Sequence, residues 1–149
     1  MKSDRLNILL ADDDPDARML VREALQETQS PHQLTCLEDG EQLLDYLRRR
    51  GAYADVSDHP RSYLILLDLN MPRKDGRETL REIKDDPLLR RIPVVILTTS
   101  QDQEDIANTY DSGASSFIVK PRDFETLLKL IQSINRYWFE IVRLPPSEN

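Results

Sequence analysis

Three consecutive aspartates, Asp12, Asp13 and Asp14, stop the apolar run LNILLA, and a further one, Asp68, stops YLILL, with Asn70 two residues on. Ionised carboxylates at the ends of such apolar runs are costly to desolvate unless something compensates them. Two other apolar runs also end in polar residues: PVVIL in Thr98, Thr99 and Ser100, and SSFIV in Lys120 followed by Pro121. If these four ends meet, converging carboxylates without a counter-charge would raise one another's pKa values. A hard divalent cation resolves the repulsion, and Mg2+ prefers carboxylate, carbonyl and water oxygens in octahedral array. No His or Cys stands at these ends, which disfavours zinc or copper. Lys120 adds a point positive charge suited to a phosphoryl oxygen or a carboxylate, and the Thr98 hydroxyl can donate to another such oxygen. A carboxylate can itself be a nucleophile that forms an acyl phosphate. Metal and lysine would then neutralise charge on the transferred group. The set therefore suits transfer of phosphate onto Asp68.

Each part also has a plainer reading. Asp12 to Asp14 with Pro15 fit a helix N-cap and its acidic first turn. Thr98 fits ordinary strand chemistry, and Lys120 a solvated edge lysine. Joint placement at four strand ends is what favours chemistry. That placement depends on the elements between them.

Apolar runs alternate with amphipathic stretches along the whole chain. LNILLA (6–11), HQLTCL (32–37), YLILLDL (63–69), PVVILT (93–98) and SSFIVK (115–120) read as strands. Ala17, Leu20, Val21, Ala24 and Leu25 have the spacing of a helix face. Leu43, Leu44 and Leu47 mark a second helix, and Asp75 to Lys84 a third with Leu80 and Ile83 inward. A fourth is expected near Asp102 to Tyr110 and a long one from about Asp123. Five strand–helix units in succession imply an α/β fold, a parallel sheet covered by helices on both faces. Right-handed crossovers bring every strand's carboxyl end to one edge, where ligands bind at the switch in strand order. The polar stretch 51–62 is expected to be a surface loop, and His32 and His59 lie away from the strand ends.

The 149 residues suit one domain with a real core, and 39% hydrophobic with 32% charged content fits a soluble globular chain. A formal net charge of −7 argues against a nucleic-acid partner held by phosphate contacts. The run Arg48 to Arg50 is explained as a helix end. A single cysteine, Cys36, excludes an intrachain disulfide and fits a reduced, cytoplasmic compartment. No membrane anchoring is expected: the apolar start is too short for a signal peptide, and no run approaches the roughly 20 residues that cross a bilayer.

The acid pair in LLADDD, with LLDLNMPRKDG, PVVILTTS and FIVKP in that order, resembles the receiver domains of two-component response regulators. The likeness spans Asp12 to Pro121. It implies a doubly wound, flavodoxin-like (βα)5 sheet of strand order 2-1-3-4-5. It also implies that Asp68 accepts phosphate from a sensor histidine kinase, with Asp12, Asp13, Asp68 and the Asn70 backbone carbonyl holding Mg2+. Thr98 would be the switch hydroxyl, Lys120 would contact the phosphoryl group, and Pro121 would follow a cis peptide bond. The aromatic switch position is Phe117, which has no hydroxyl to bond outward. Arg122 stands where many relatives carry an apolar residue, so this surface is expected to be more polar.

In the last helix, Phe124, Leu127, Leu128, Ile131 and Ile134 suffice to close the fold. The apolar periodicity nevertheless continues through Tyr137, Trp138, Ile141 and Val142 up to Pro145 and Pro146. An exposed patch of this kind marks an interface. The expectation is one receiver domain (core about 5–135) that dimerises through an extension of about 136–149; the competing reading folds the tail back on its own domain. With no DNA-binding module after Pro146, output is expected through contact with a downstream protein. This ending, the 51–62 loop and DLNMPRKDGRETLREIK are similar to the small stand-alone regulators that partner cyanobacterial phytochromes.

Two other functions compete with a phosphorylated switch. One is a Mg2+-dependent phosphatase of the haloacid dehalogenase type, which needs an acid two residues after its aspartyl nucleophile; Asn70 cannot serve. The other is a degenerate receiver used only for binding, but that predicts a missing acid or lysine. A receiver catalyses only its own phosphorylation and dephosphorylation and is not an enzyme in the usual sense.

Overall fold

A computed structural model describes residues 6–29, 32–55 and 62–145. The middle of the 51–62 loop, including His59, and the tail from Pro146 lie outside these residues. Five strand–helix units follow one another. They are β1 (Leu6–Ala11) and α1 (Pro15–Glu27), β2 (Gln33–Leu37) and α2 (Gly40–Arg48), β3 (Ser62–Leu67) and α3 (Gly76–Asp85), β4 (Val94–Thr98) and α4 (Gln103–Asp111), and β5 (Ser116–Val119) and α5 (Phe124–Arg136). A short 3-10 turn (Gly51–Tyr53) follows α2, and a π-helical turn (Tyr137–Ile141) extends α5.

All strand pairs are parallel, and the order is β2-β1-β3-β4-β5, as the family resemblance implies. Leu10 lies level with Cys36 on one side and Leu66 on the other, and Ile96 lies level with Phe117. The central strands are buried on both faces, which is why they read as largely apolar runs; the one polar residue inside β1, Asn7, is buried and bonded to Thr35 and Tyr46. Along β3, Leu64 and Leu66 pack with Val21, Ala24 and Ile131 of α1 and α5, whereas Ile65 and Leu67 pack with Leu43, Leu80 and Ile83 of α2 and α3. Burying each of the leucine, isoleucine and valine side chains stabilises the fold by about 1.5–3 kcal/mol. In α1 the inward residues are Val21, Ala24 and Leu25; Leu20, assigned to that face from spacing, is exposed.

Each α-helix among the described residues starts on an aspartate N-cap: Asp14, Asp39, Asp75, Asp102 and Asp123 each accept a first-turn N–H. The cap of α1 is thus Asp14 alone, which leaves Asp12 and Asp13 for other work. The turn from β3 into α3 closes tightly, with Gly76 N–H donating to Leu69 O at 2.9 Å. A Cβ at Gly76 would collide with Asp68 O and lie 2.7 Å from Leu69 Cα, so only glycine fits.

Candidate functional site

The strand order reverses between β1 and β3, and the residues that follow these two strands are Asp12 and Asp68. Backbone pairing continues one step beyond the strands: Asp12 N–H donates to Leu37 O and Asp68 N–H to Ala11 O, both at 3.0 Å. Both acids are thus pinned by the ladder. Asp13, next in the chain, is exposed, and one carboxylate oxygen from each of the three lies within 4.8 Å of the others.

Asp12 is 1% exposed. One of its carboxylate oxygens accepts from Asp14 N–H at 3.0 Å, the other lies 2.6 Å from Lys120 Nζ, and its carbonyl accepts from the Arg18 guanidinium at 2.6 Å. Burial lifts the Asp12 carboxyl above the ordinary carboxylate value and outweighs the hydrogen bonds from Lys120 and Asp14. Lys120 is subject to opposed effects. Burial lowers its pKa, but the hydrogen bond to Asp12 and the charges of Asp12 and Asp68 hold the ammonium above its ordinary value.

Asp68 differs from Asp12 in its partners. Its side chain is 8% exposed, Oδ2 lies a loose 3.5 Å from Lys120 Nζ, and Oδ1 is buried with no hydrogen-bond partner. A buried carboxylate oxygen without a partner is costly. Together with two neighbouring acids, it is the donor set a hard divalent cation satisfies. Asn70 is exposed in the loop that follows.

The remaining predicted residues approach from β4 and β5. Thr98 is fully buried, and its hydroxyl oxygen accepts from Ser100 N–H at 3.4 Å. Lys120 N–H donates to Thr98 O at 2.8 Å, tying the two strand ends together. Phe117 is half-buried against the α2/α3 side of the core, and its N–H donates to the Tyr110 hydroxyl at 3.2 Å. Arg122 is exposed. The cis bond expected before Pro121 is corrected: among the described residues no peptide bond is cis. The trans form is the intrinsically favoured one, by about 0.5–1 kcal/mol for a bond to proline, and Lys120 reaches both acids with it.

The tail is split. Trp138 and Phe139 pack on the α1/α5 core, and the Phe139 ring lies 4.2 Å from that of His32. Tyr137 and Ile141 are 50% and 60% exposed, and Val142 is half-buried. Of the four residues of the expected patch, Tyr137 and Ile141 are thus exposed, and Trp138 and Val142 are half-buried. A π-helical turn, closed by Val142 N–H to Tyr137 O at 3.0 Å, breaks the 3.6-residue period on which that face was drawn.

Sequence spacing did not reveal Arg18 on the Asp12 carbonyl, Arg73 on Asp39 (2.7 Å), or Arg77 on Asp105 (2.7 Å). Only Arg18, one helical turn past the acid pair, carries a local signal.

A five-stranded parallel sheet with a lysine-paired acid cluster at its switch point defines a phosphoacceptor receiver. The chain matches the response regulator receiver domain over residues 8–132, and it belongs to that family. It is 43% identical over 140 residues to the response regulator Rcp1 of Synechocystis, covering 94% of this chain and 93% of that protein. The solved Mn2+-bound form of Rcp1 superposes with a TM-score of 0.84 at 42% identity, covering 93% of this chain and 98% of that one. The phosphorylated cyanobacterial phytochrome response regulator RcpA superposes with a TM-score of 0.86 at 41% identity, covering 95% and 99%. Among the described residues no helix is long and apolar enough to cross a membrane.

Proposed function

We propose that Asp68 takes a phosphoryl group from a phosphohistidine of a sensor kinase, in a reaction that needs Mg2+. The observation that carries this reading is the buried, unpartnered Oδ1 of Asp68 beside Asp12 and Asp13. Asp12, Asp13, Asp68 and the Asn70 backbone carbonyl would hold the cation. When bound, Mg2+ neutralises charge on the phosphoryl oxygens. In the transfer, an Asp68 carboxylate oxygen forms the O–P bond as the N–P bond breaks, and the electron pair of that bond leaves on the imidazole nitrogen. Lys120 supplies a fixed positive charge to the phosphoryl oxygens, and Thr98 a hydroxyl donor. Phe117 follows Thr98 by repacking its ring.

The likeness to RcpA over nearly the whole chain supports a phytochrome as the kinase. The single cysteine supports a reduced, cytoplasmic setting. The acidic balance favours output through a downstream protein over nucleic acid. The whole chain is read as one receiver domain whose tail makes a homodimer through Tyr137, Trp138, Ile141 and Val142, with Trp138 also packed on its own core. A monomer by sedimentation at tens of micromolar protein would remove the dimer. Incubation with Mg2+ and acetyl phosphate should add one phosphate to the intact mass. Labelling that persists in Asp68→Asn, or is absent from the wild type, overturns the assignment of Asp68.

A further inference from the structure

Outside the acid cluster, a charge-assisted chain of hydrogen bonds runs to the Thr98 hydroxyl. Arg77, in the first turn of α3, grips Asp105 in the first turn of α4: Nε to Oδ1 and Nη to Oδ2, both 2.7 Å. Another Nη lies 3.5 Å from the N-cap Asp75. Asp105 Oδ2 also accepts the Ser100 hydroxyl at 2.8 Å, and Ser100 Oγ accepts from Asp102 N–H at 3.3 Å. Ser100 N–H in turn donates to Thr98 Oγ1 at 3.4 Å. The Arg77–Asp105 pair sits beside a cleft of about 260 Å3 between α3 and α4, lined by Arg77, Leu80, Arg81, Asn108 and Thr109. A bidentate arginine–carboxylate pair fixes orientation as well as adding energy.

A hydroxyl has one proton to donate. An N–H aimed at Thr98 Oγ1 occupies a lone pair and leaves that proton for another acceptor. Given the reading of Asp68 as phosphoacceptor, on which this rests, we infer that Arg77 and Asp105 are positioning residues. Through Ser100 they hold the 99–102 loop so that the Thr98 hydroxyl is pre-oriented to donate to a phosphoryl group on Asp68. The ion pair makes no hydrogen bond to Asp12, Asp13, Asp68 or Asn70, and its hydrogen-bonded route to the site runs through Ser100 to Thr98.

The test uses the full chain with beryllofluoride as the phosphoryl mimic, its affinity read by 19F NMR in the presence of Mg2+. Arg77→Met, Asp105→Asn and the double variant are compared with wild type, and Mg2+ affinity is measured separately. Asp105→Asn, which is isosteric, serves if Arg77→Met does not fold. The expected result is beryllofluoride affinity about three- to fivefold weaker in each single variant, no further loss in the double variant, and Mg2+ affinity within about twofold of wild type. Unchanged or tighter beryllofluoride binding overturns the inference, as does a parallel loss of Mg2+ affinity, which marks general damage. A wild type that binds Mg2+ but no beryllofluoride removes the reading of Asp68 itself, and the inference with it.

Discussion

Asp68 and Asp39 are both buried acids near the carboxyl end of a strand, Asp68 after β3 and Asp39 after β2. Asp39 is 0% exposed, yet both of its oxygens are engaged: one caps α2 through Gln42 N–H at 2.9 Å, the other accepts from Arg73 at 2.7 Å. Asp68 is slightly more exposed, but one oxygen has no partner and the other only a loose contact with Lys120. Burial therefore does not separate these two acids; the unpartnered oxygen of Asp68 does. Asp39 completes a joint between α2 and the loop 70–75, holding Arg73 in a left-handed conformation (φ 64°) that a side chain adopts only at a cost. On the proposed reading, a cation and a phosphoryl group from outside the chain complete Asp68.

The sharpest way to break this contrast is to remove each acid in turn. Asp68→Asn should abolish the one-phosphate mass gain while leaving folding stability equal or higher, because it removes a carboxylate from a crowded group. A large stability loss in urea would place Asp68 with Asp39 as a structural acid. Asp39→Ala should do the reverse, costing about 2–3 kcal/mol through a lost helix cap and an unpaired Arg73, with phosphate uptake retained. Denaturation midpoints and intact mass on the same samples decide between them.

Metal addition gives a smaller effect. Mg2+ at ten times its dissociation constant should stabilise the wild type by about 1.4 kcal/mol. That gain should vanish in Asp13→Asn and persist in Asp39→Ala. A gain of equal size in Asp13→Asn would move the cation elsewhere.

Acid titration reads the smallest effect, at another satisfied acid. Arg77 foremost, with help from Ser100, holds the Asp105 carboxyl below its ordinary value. A depressed folded value means that the pair contributes stability at neutral pH and loses it as pH falls through the carboxylate range, below about 4. The stability difference between wild type and Arg77→Met should thus be under about 1 kcal/mol at pH 7 and shrink towards pH 3. A difference that grows with acidity would contradict the pairing.

The sheet and the acid cluster were legible in the sequence because both depend on local pattern. A parallel strand buried on two faces reads as an apolar run, and a residue that stops it stands at the edge. Asp12, Asp68, Thr98 and Lys120 could be placed on that logic alone. Asp105 could not, since its partner lies 28 residues away on another helix and neither residue interrupts a pattern. The burial along the tail was not legible for a different reason: periodicity assumes one helical pitch, and the chain changes pitch at Tyr137. The trans bond before Pro121 leaves no trace in residue order at all.

If the tail pairs as proposed, its packing also bears on the cost of assembly. A segment that is disordered until it meets a partner must be ordered at that moment, and the encounter is weakened accordingly. Here Trp138 and Phe139 already pack the turn on its own domain, with the His32 ring tilted against that of Phe139. A partner docking on Tyr137 and Ile141 would then meet side chains whose backbone is already ordered by its own domain, and less ordering would fall to the moment of contact.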